Sequence, residues 1–412
     1  MTPHPTVRFG DLYQIPSRNG LYKGAEWQGR GARIVNMGEI FGYDRIGPQE
    51  MARVEVTDGE FERFGLKHGD LLFARRSLVE AGAGRCVLVT ELPEPTVFES
   101  SIIRVRLDPT RCDPAFYLYY FRAGPGRAAI AAIVNGVAQK GIRGSELENI
   151  QIACPPLGSQ RRIAATLAAY DDLIDVNERR IRLLEESVRV LYREWFERLR
   201  FPGHQRVAVK DGVPEGWSRA AFRQLVDEVR RAAPIEKIAA ETPYVGLEHV
   251  PRRSLALADW GTAAEVTSGK LWFRRGEILF GKIRPYFHKV VVAPMDGVCS
   301  SDIIVFVPRE GWSGLAAAVA SSDAFVAHAS KTSGEGARMP RANPRMLLDW
   351  PVLLPDAATA SAFEEFVTPR IDQMNLLRAQ SRAAARARDF LLPRLMDGTL
   401  TPPDVAVVEA VG

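Results

Sequence analysis

The sequence predicts an α+β protein: two homologous mixed α/β domains joined by two long helices that form an antiparallel coiled coil. Three observations carry this. A set of motifs is written twice, about 200 residues apart. A helical heptad pattern follows each copy. The length, 412 residues, suits two or three domains at roughly 150 residues each.

The duplication is read in order along the chain. Lys67-His68-Gly69-Asp70-Leu71-Leu72-Phe73 runs on to Arg75-Arg76, and Arg274-Arg275-Gly276-Glu277-Ile278-Leu279-Phe280 runs on to Lys282; the two glycines lie 207 positions apart. Ser100-Ser101-Ile102-Ile103 answers to Ser300-Ser301-Asp302-Ile303-Ile304, and Ile150-Gln151-Ile152 before Pro155-Pro156 answers to Val352-Leu353-Leu354 before Pro355. A period this long means two homologous domains, whereas a solenoid repeats every 20–50 residues. The expected limits are 1–156 and 201–355 for the domains, 157–200 and 356–400 for the helices, and 401–412 for a tail.

Within each domain, short Val/Ile/Leu/Phe-rich runs bounded by Gly, Pro or charge read as strands. They are Asp70–Phe73, Cys86–Thr90 and Ile102–Leu107, then Glu277–Phe280, Lys289–Ala293 and Asp302–Val307. Phe116–Phe121 and Leu315–Ala320 read as short helices, and the glycine-rich 80–84 and 333–337 as loops.

After Pro156, apolar residues at Ile163, Leu167, Tyr170, Ile174, Ile181, Leu184, Val188, Leu191 and Trp195 alternate steps of four and three, with Asn177 in the remaining slot. A seam held for more than four heptads is a coiled-coil signature. Asp171, Asp172, Glu178, Arg179, Arg180, Glu185 and Glu186 flank it, as a solvated helix face requires. From Leu157 to Leu199 the helix would measure about 64 Å at ~1.5 Å per residue. Phe201-Pro202-Gly203 ends it. Asn177 either fixes the register of the pairing or marks a distortion with its amide in solvent. In the second helix Ser361 and Glu364 have capping-box spacing. Phe363, Val367, Met374, Leu377, Ala384 and Leu391 keep the beat, interrupted by Arg370, Ser381 and Arg388. One strong and one weaker seam are best buried against each other, antiparallel; packing on each helix's own domain, or on a second copy of the chain, is the alternative.

Composition excludes several classes. Charged residues make up 25% and hydrophobic residues 46%, an ordinary globular balance. The longest aliphatic run, Ala128 to Val134, falls far short of the ~20 residues that span a bilayer. Met1–Pro5 lacks the basic and apolar regions of a signal peptide. Four cysteines, Cys86, Cys112, Cys154 and Cys299, with no CxxC pair, argue against zinc or a disulfide framework and suit a reducing cytoplasm. Net charge is +4 overall and by segment +1, +1, +4 and −2. Any nucleic-acid binding therefore works through placed loops and not through a polycationic field.

The layout resembles the DNA specificity subunit of Type I restriction–modification systems. The residues that carry the resemblance are Ile152-Ala153-Cys154-Pro155-Pro156-Leu157 through Gln160-Arg161-Arg162-Ile163, Leu173-Ile174 with Asn177, and Trp195-Phe196. Asp211-Gly212-Val213-Pro214-Glu215-Gly216-Trp217 and Arg388-Asp389-Phe390-Leu391-Leu392-Pro393-Arg394-Leu395 add to them. Pro355-Asp356-Ala357-Ala358 departs from the pattern, lacking the double proline and the Gln-Arg of the first copy. The resemblance implies that each globular domain reads half of a bipartite, asymmetric site in double-stranded DNA. The helices set the gap and dock two methyltransferase subunits. This chain carries no catalysis and no cofactor. S-adenosylmethionine belongs to the adenine-methylating partner, and ATP and Mg to motor–nuclease subunits where present. No membrane is involved.

DNA-contact candidates are the basic, amide and aromatic loop residues of both copies, because Arg and Lys pair with guanine or phosphate and Gln with adenine. In the first domain they are Arg75, Arg76, Gln139, Lys140 and Arg143. In the second they are Lys282, Arg284, Tyr286, Lys289, Arg338, Arg341 and Arg345, the last three alternating with Pro340 and Pro344 behind a glycine-rich loop in a strand-like arm. Surface solubility or ion pairing is the plain alternative for any one of them. Gly276 to Lys282 nearly spells a phosphate-binding loop, but Ile283 stands where Ser or Thr would hold magnesium. No HExxH helix, GxSxG elbow or Asn/Asp-Pro-Pro-aromatic motif is present, and His249 and His288 read as surface or core residues. A coiled-coil scaffold that binds only proteins remains the competing function.

Overall fold

A computed structural model describes residues 4–79, 82–136, 140–331 and 339–401. The architecture is two mixed α/β domains and two long helices, Leu157–Tyr192 and Ala357–Met396. The chain divides into two compact units, residues 1–172 with 384–412, and residues 173–383.

In the first unit a five-stranded sheet runs in the order Tyr13–Asn19, Ile102–Leu107, Leu71–Ala74, Cys86–Val89, Arg45–Ile46, antiparallel except for its last pair. Alternation along the strands gives it two apolar faces. Leu71, Phe73, Ile103 and Val105 pack on the aromatic helix Pro114–Arg122 and on Phe9, while Leu72, Ala74, Val87 and Ile102 pack with Val35 and Phe98 of a smaller three-stranded sheet.

The second unit repeats the plan. Its four-stranded antiparallel sheet runs Val226–Val229, Ile303–Pro308, Ile278–Gly281, Val290–Val292. Ile278, Phe280, Ile304 and Phe306 face the helices, while Leu279, Val291 and Val305 face the core shared with a five-stranded sheet. The strand that nearly spells a phosphate loop has Ile278, Leu279 and Phe280 fully buried. The two turns feeding the central strands are built alike. Gly69 (φ +86°) donates to the Val89 carbonyl and Gly276 (φ +83°) to that of Ala293, each at 2.9 Å. The acid that follows is held by a bidentate arginine in both: Asp70 by Arg106, Glu277 by Arg231. The arginines come from different strands, so the pairing recurs although its donor does not.

Each domain is also clasped at its base. Thr6–Arg8 pairs antiparallel with Gln151–Ala153 just before the first long helix, and Ser218–Ala221 pairs with Pro351–Leu354 just before the second.

Both units contain an antiparallel stretch of the helix pair. In the first, Ile163, Ala164 and Leu167 pack with Leu391, Leu395 and Met396, and Asp171 meets Arg388. In the second, Ile181, Val188 and Phe196 pack with Phe363, Val367, Met374 and Leu377, and Glu178 meets Arg378. Ile371 is a buried seam residue that the beat of the second helix skipped. Tyr170, Ile174, Leu184, Leu191, Trp195 and Leu391 sit at half-buried positions on the same stripe. The first helix closes in a wider turn at Arg193–Glu197, and Phe196, Phe201 and Trp217 cluster beneath it.

Four sequence expectations are corrected. Asn177 does not face solvent; it is 1% exposed and its Nδ2 has no hydrogen-bond partner among the described residues. Asp171 is not solvated either, because Tyr119 donates to it at 2.6 Å and Arg388 at 2.6 Å. Glu185 is buried and accepts from the Ser254 hydroxyl and the Leu255 N–H, and burial raises its pKa. Finally, Ser361 and Glu364 do not cap the second long helix. Asp356 does so, accepting from the N–H groups of Ala358 and Thr359. Glu364 instead accepts from Gly314 and Leu315 at 2.7 and 2.8 Å, closing the start of the helix Ser313–Ala320. Gln160 serves the corresponding short helix of the first unit by accepting from Asp113, so the glutamine missing from the second copy is replaced by a glutamate further along its helix.

The state of Asn177 yields a test. Asn177→Leu removes a buried unsatisfied donor, whose desolvation costs ~1–3 kcal/mol, so the denaturant midpoint of the variant should rise. The same variant should pair its helices in a less unique register, read as broadened methyl resonances along the seam.

No described helix is long and apolar enough to cross a membrane, and no group of three or more potential metal ligands occurs among the described residues.

Candidate nucleic-acid interface

The loop that leaves each central strand is anchored by the same backbone bonds. Arg75 donates its N–H to the Ser101 carbonyl at 2.8 Å and accepts from Ile142 at 3.0 Å; Lys282 donates to Asp302 at 2.8 Å and accepts from Ala342 at 2.8 Å. These two basic residues are therefore structural equivalents. From each, the chain runs beside a second segment that arrives from about sixty residues downstream.

In the first unit Arg76–Ser77 forms a ladder with Lys140–Gly141. A side chain at position 141 would strike the Arg75 carbonyl at 2.9 Å, so glycine permits the close approach. The ladder gathers Arg75, Arg76, Lys140 and Arg143. Arg76 and Arg143 are exposed, whereas the Arg75 guanidinium turns inward to the Ser100 carbonyl at 3.4 Å. Gln139 lies outside the described residues.

In the second unit Ile283 bridges Arg341, and Arg284 (φ +50°) donates its N–H to Pro340 at 2.8 Å. This gathers Lys282, Arg284 and Arg341, with Tyr286 exposed at the next turn, Pro285–Phe287. Arg341 stands 3.8 Å from Asp302. The expected strand-like arm is corrected. Among the described residues only the bridge at Arg341 is strand-like, and Pro344–Leu348 is a short helix, because Asn343 caps it and proline suits its first turn. Arg345 is exposed on that helix. Lys289 stands apart: its ammonium donates to the Leu247 carbonyl, and partial burial lowers its pKa. Arg338 lies outside the described residues.

Many other surface arginines are matched by carboxylates, as Arg53 by Glu94 and Arg309 by Asp227. Among the described residues Arg76, Arg143 and Arg284 have no such partner, which leaves their guanidinium donors for an external anion. Sequence reasoning missed the apolar residues that follow Arg76, Leu78 and Val79, both exposed. Their only signal was position, directly after the basic pair.

Comparison with known proteins points the same way. Residues 5–186 match the family model described as the Type I restriction modification DNA specificity domain. The chain is 33% identical over 94 residues to the type I restriction enzyme EcoDI specificity subunit of Escherichia coli, covering 22% of this chain and 21% of that protein. It is 24% identical over 203 residues to the putative type I restriction enzyme MjaX specificity subunit of Methanocaldococcus jannaschii, covering 48% and 47%. It thus spans about half the length of such relatives or less. A crystal structure of a Type-I restriction-modification S subunit from M. genitalium has the same fold over 96% of this chain and 99% of that one, with a TM-score of 0.60 at 14% identity.

Proposed function

We propose, from the match of residues 5–186 to the Type I restriction modification DNA specificity domain, that this chain belongs to that family and is the sequence-reading subunit of a cytoplasmic restriction–modification complex. Each globular domain reads one half of a bipartite, asymmetric site in double-stranded DNA. The long helices set the gap and dock two methyltransferase subunits. The chain supplies no reacting group. Adenine methylation, with its S-adenosylmethionine, belongs to the methyltransferase subunits, and ATP and Mg to motor–nuclease subunits where they join.

The observation that carries this reading is the pair of equivalent basic loops, alike in backbone anchoring and unlike in side chains. Equal scaffolds dock equally on a duplex, and unequal side chains read unequal bases. Arg76, Lys140 and Arg143 serve one half-site, and Lys282, Arg284, Arg341 and Arg345 the other.

Mapping methylated adenines on random duplexes with the complex of this chain and its methyltransferase tests it. The expected result is one split motif with different halves. Arg76→Ala should either relax a single base position in one half by about 1–3 kcal/mol, or weaken all sequences alike and lower the salt slope by about one. In both cases the other half-site is read as before. Methylation without sequence preference would sink the proposal.

A further inference from the structure

We propose that each recognition domain carries an apolar wedge that enters the base stack of its half-site, Leu78–Val79 in the first domain and Tyr286 in the second. The inference rests on the DNA-reading function above and says how the contact is made.

Position comes first. Leu78 and Val79 are the third and fourth residues after Arg75; Pro285 and Tyr286 are the third and fourth after its equivalent, Lys282. Leu78 is 86% exposed, Val79 63% and Tyr286 54%. A lone exposed apolar residue is commonplace. Here large apolar side chains protrude at the same point of both copies, although the two loops differ in sequence and in local structure.

Both tips are held in place. In the first, Val79 donates its N–H to the Ser77 hydroxyl at 3.1 Å and accepts from Gly82 at 3.1 Å. In the second, the turn Pro285–Phe287 is closed by Phe287 donating to Arg284 at 2.9 Å and His288 to Pro285 at 2.7 Å. Arg284 and His288, on either side of it, adopt left-handed backbone that residues with side chains rarely take. The Phe287 ring is covered by Arg252 at 4.1 Å and stands edge-on to Tyr286. Such backbone persists only where surrounding structure over-determines it, and it clusters at binding sites.

The surroundings select the partner. Arg76, Lys140 and Arg143 border the first tip, and Lys282, Arg284 and Arg341 the second. An apolar point framed by cations matches a duplex, with phosphates outside and apolar base faces within; side chains that insert between base steps unstack them and kink the helix.

The test uses the complex of the full chain with its methyltransferase subunits, on duplexes of the mapped site. 2-Aminopurine is placed at each position in turn except the adenines that are methylated, which are themselves extruded. Wild type should raise the fluorescence at one step in each half. Leu78→Ala with Val79→Ala should abolish the first rise alone, and Tyr286→Ala the second alone, each with about tenfold weaker binding or more. Tyr286→Phe should keep its rise. Specific binding without a rise in either half overturns the wedge and leaves DNA reading intact, as does loss of methyltransferase association in these variants with the rise preserved. Binding without sequence preference overturns both.

Discussion

Asp171→Asn should cost the first unit about 2–4 kcal/mol, while Asp172→Asn, one residue on, should cost less than about 1 kcal/mol. The adjacent acids differ in surroundings. The Asp171 carboxylate is 12% exposed and that of Asp172 61%. Asp171 accepts from the Tyr119 hydroxyl and the Arg388 guanidinium, with Arg122 at 3.7 Å and Arg45 at 3.9 Å. Removing the charge leaves three guanidinium groups crowded around a neutral amide in a largely dry site. Breaking a buried pair from one side costs ~3–5 kcal/mol, and the partial exposure of the arginines shifts this site about 1 kcal/mol below that range. Asp172 pairs with Arg45 at the surface, where water and salt screen the interaction to ~0–1 kcal/mol. Urea unfolding of both variants checks the contrast. Equal effects would mean that Asp171 is as solvated as its neighbour.

Glu364→Ala should destabilise the second unit by about 2–4 kcal/mol, and Glu364→Gln by about half as much. The helix Ser313–Ala320 is buried from Gly314 to Ala320, so water cannot replace a lost acceptor at its start. Gly314 lies so close to the long helix that a side chain there would meet Val367 at 3.0 Å. Alanine strands two buried N–H donors at ~1–3 kcal/mol each, tempered by relaxation. Glutamine keeps one carbonyl oxygen for one of them. The drop in melting temperature of each variant measures this, and an alanine variant as stable as wild type would show the cap to be dispensable.

Both effects mark what periodicity could not report. The strands Ile102–Leu107 and Leu71–Ala74, the short helices and both long helices were legible because burial selects residue type at a fixed spacing. The seam pattern also located Ile163, Leu167, Ile181 and Val188. The pattern places Asp171, Glu185 and Glu364 on flanks or caps, because an acid on a helix looks the same whether it faces water or a domain. Their partners, Tyr119, Ser254 and the start of Ser313–Ala320, are remote in sequence. Likewise, the doubled motifs expose the basic loops, but it takes the folded chain to show that Arg75 and Lys282 share their backbone bonds, that Lys289 is tied to Leu247, and that Leu78 protrudes.

The clasp at the base of each domain has a consequence for descent. Because Thr6–Arg8 lies against Gln151–Ala153, and Ser218–Ala221 against Pro351–Leu354, each globular domain begins and ends at neighbouring points. Recombination at those two points would import a foreign domain as a cassette without altering the length or phase of either helix. On the proposed function, half-sites then change one at a time, and a lineage acquires a new target by exchanging one cassette.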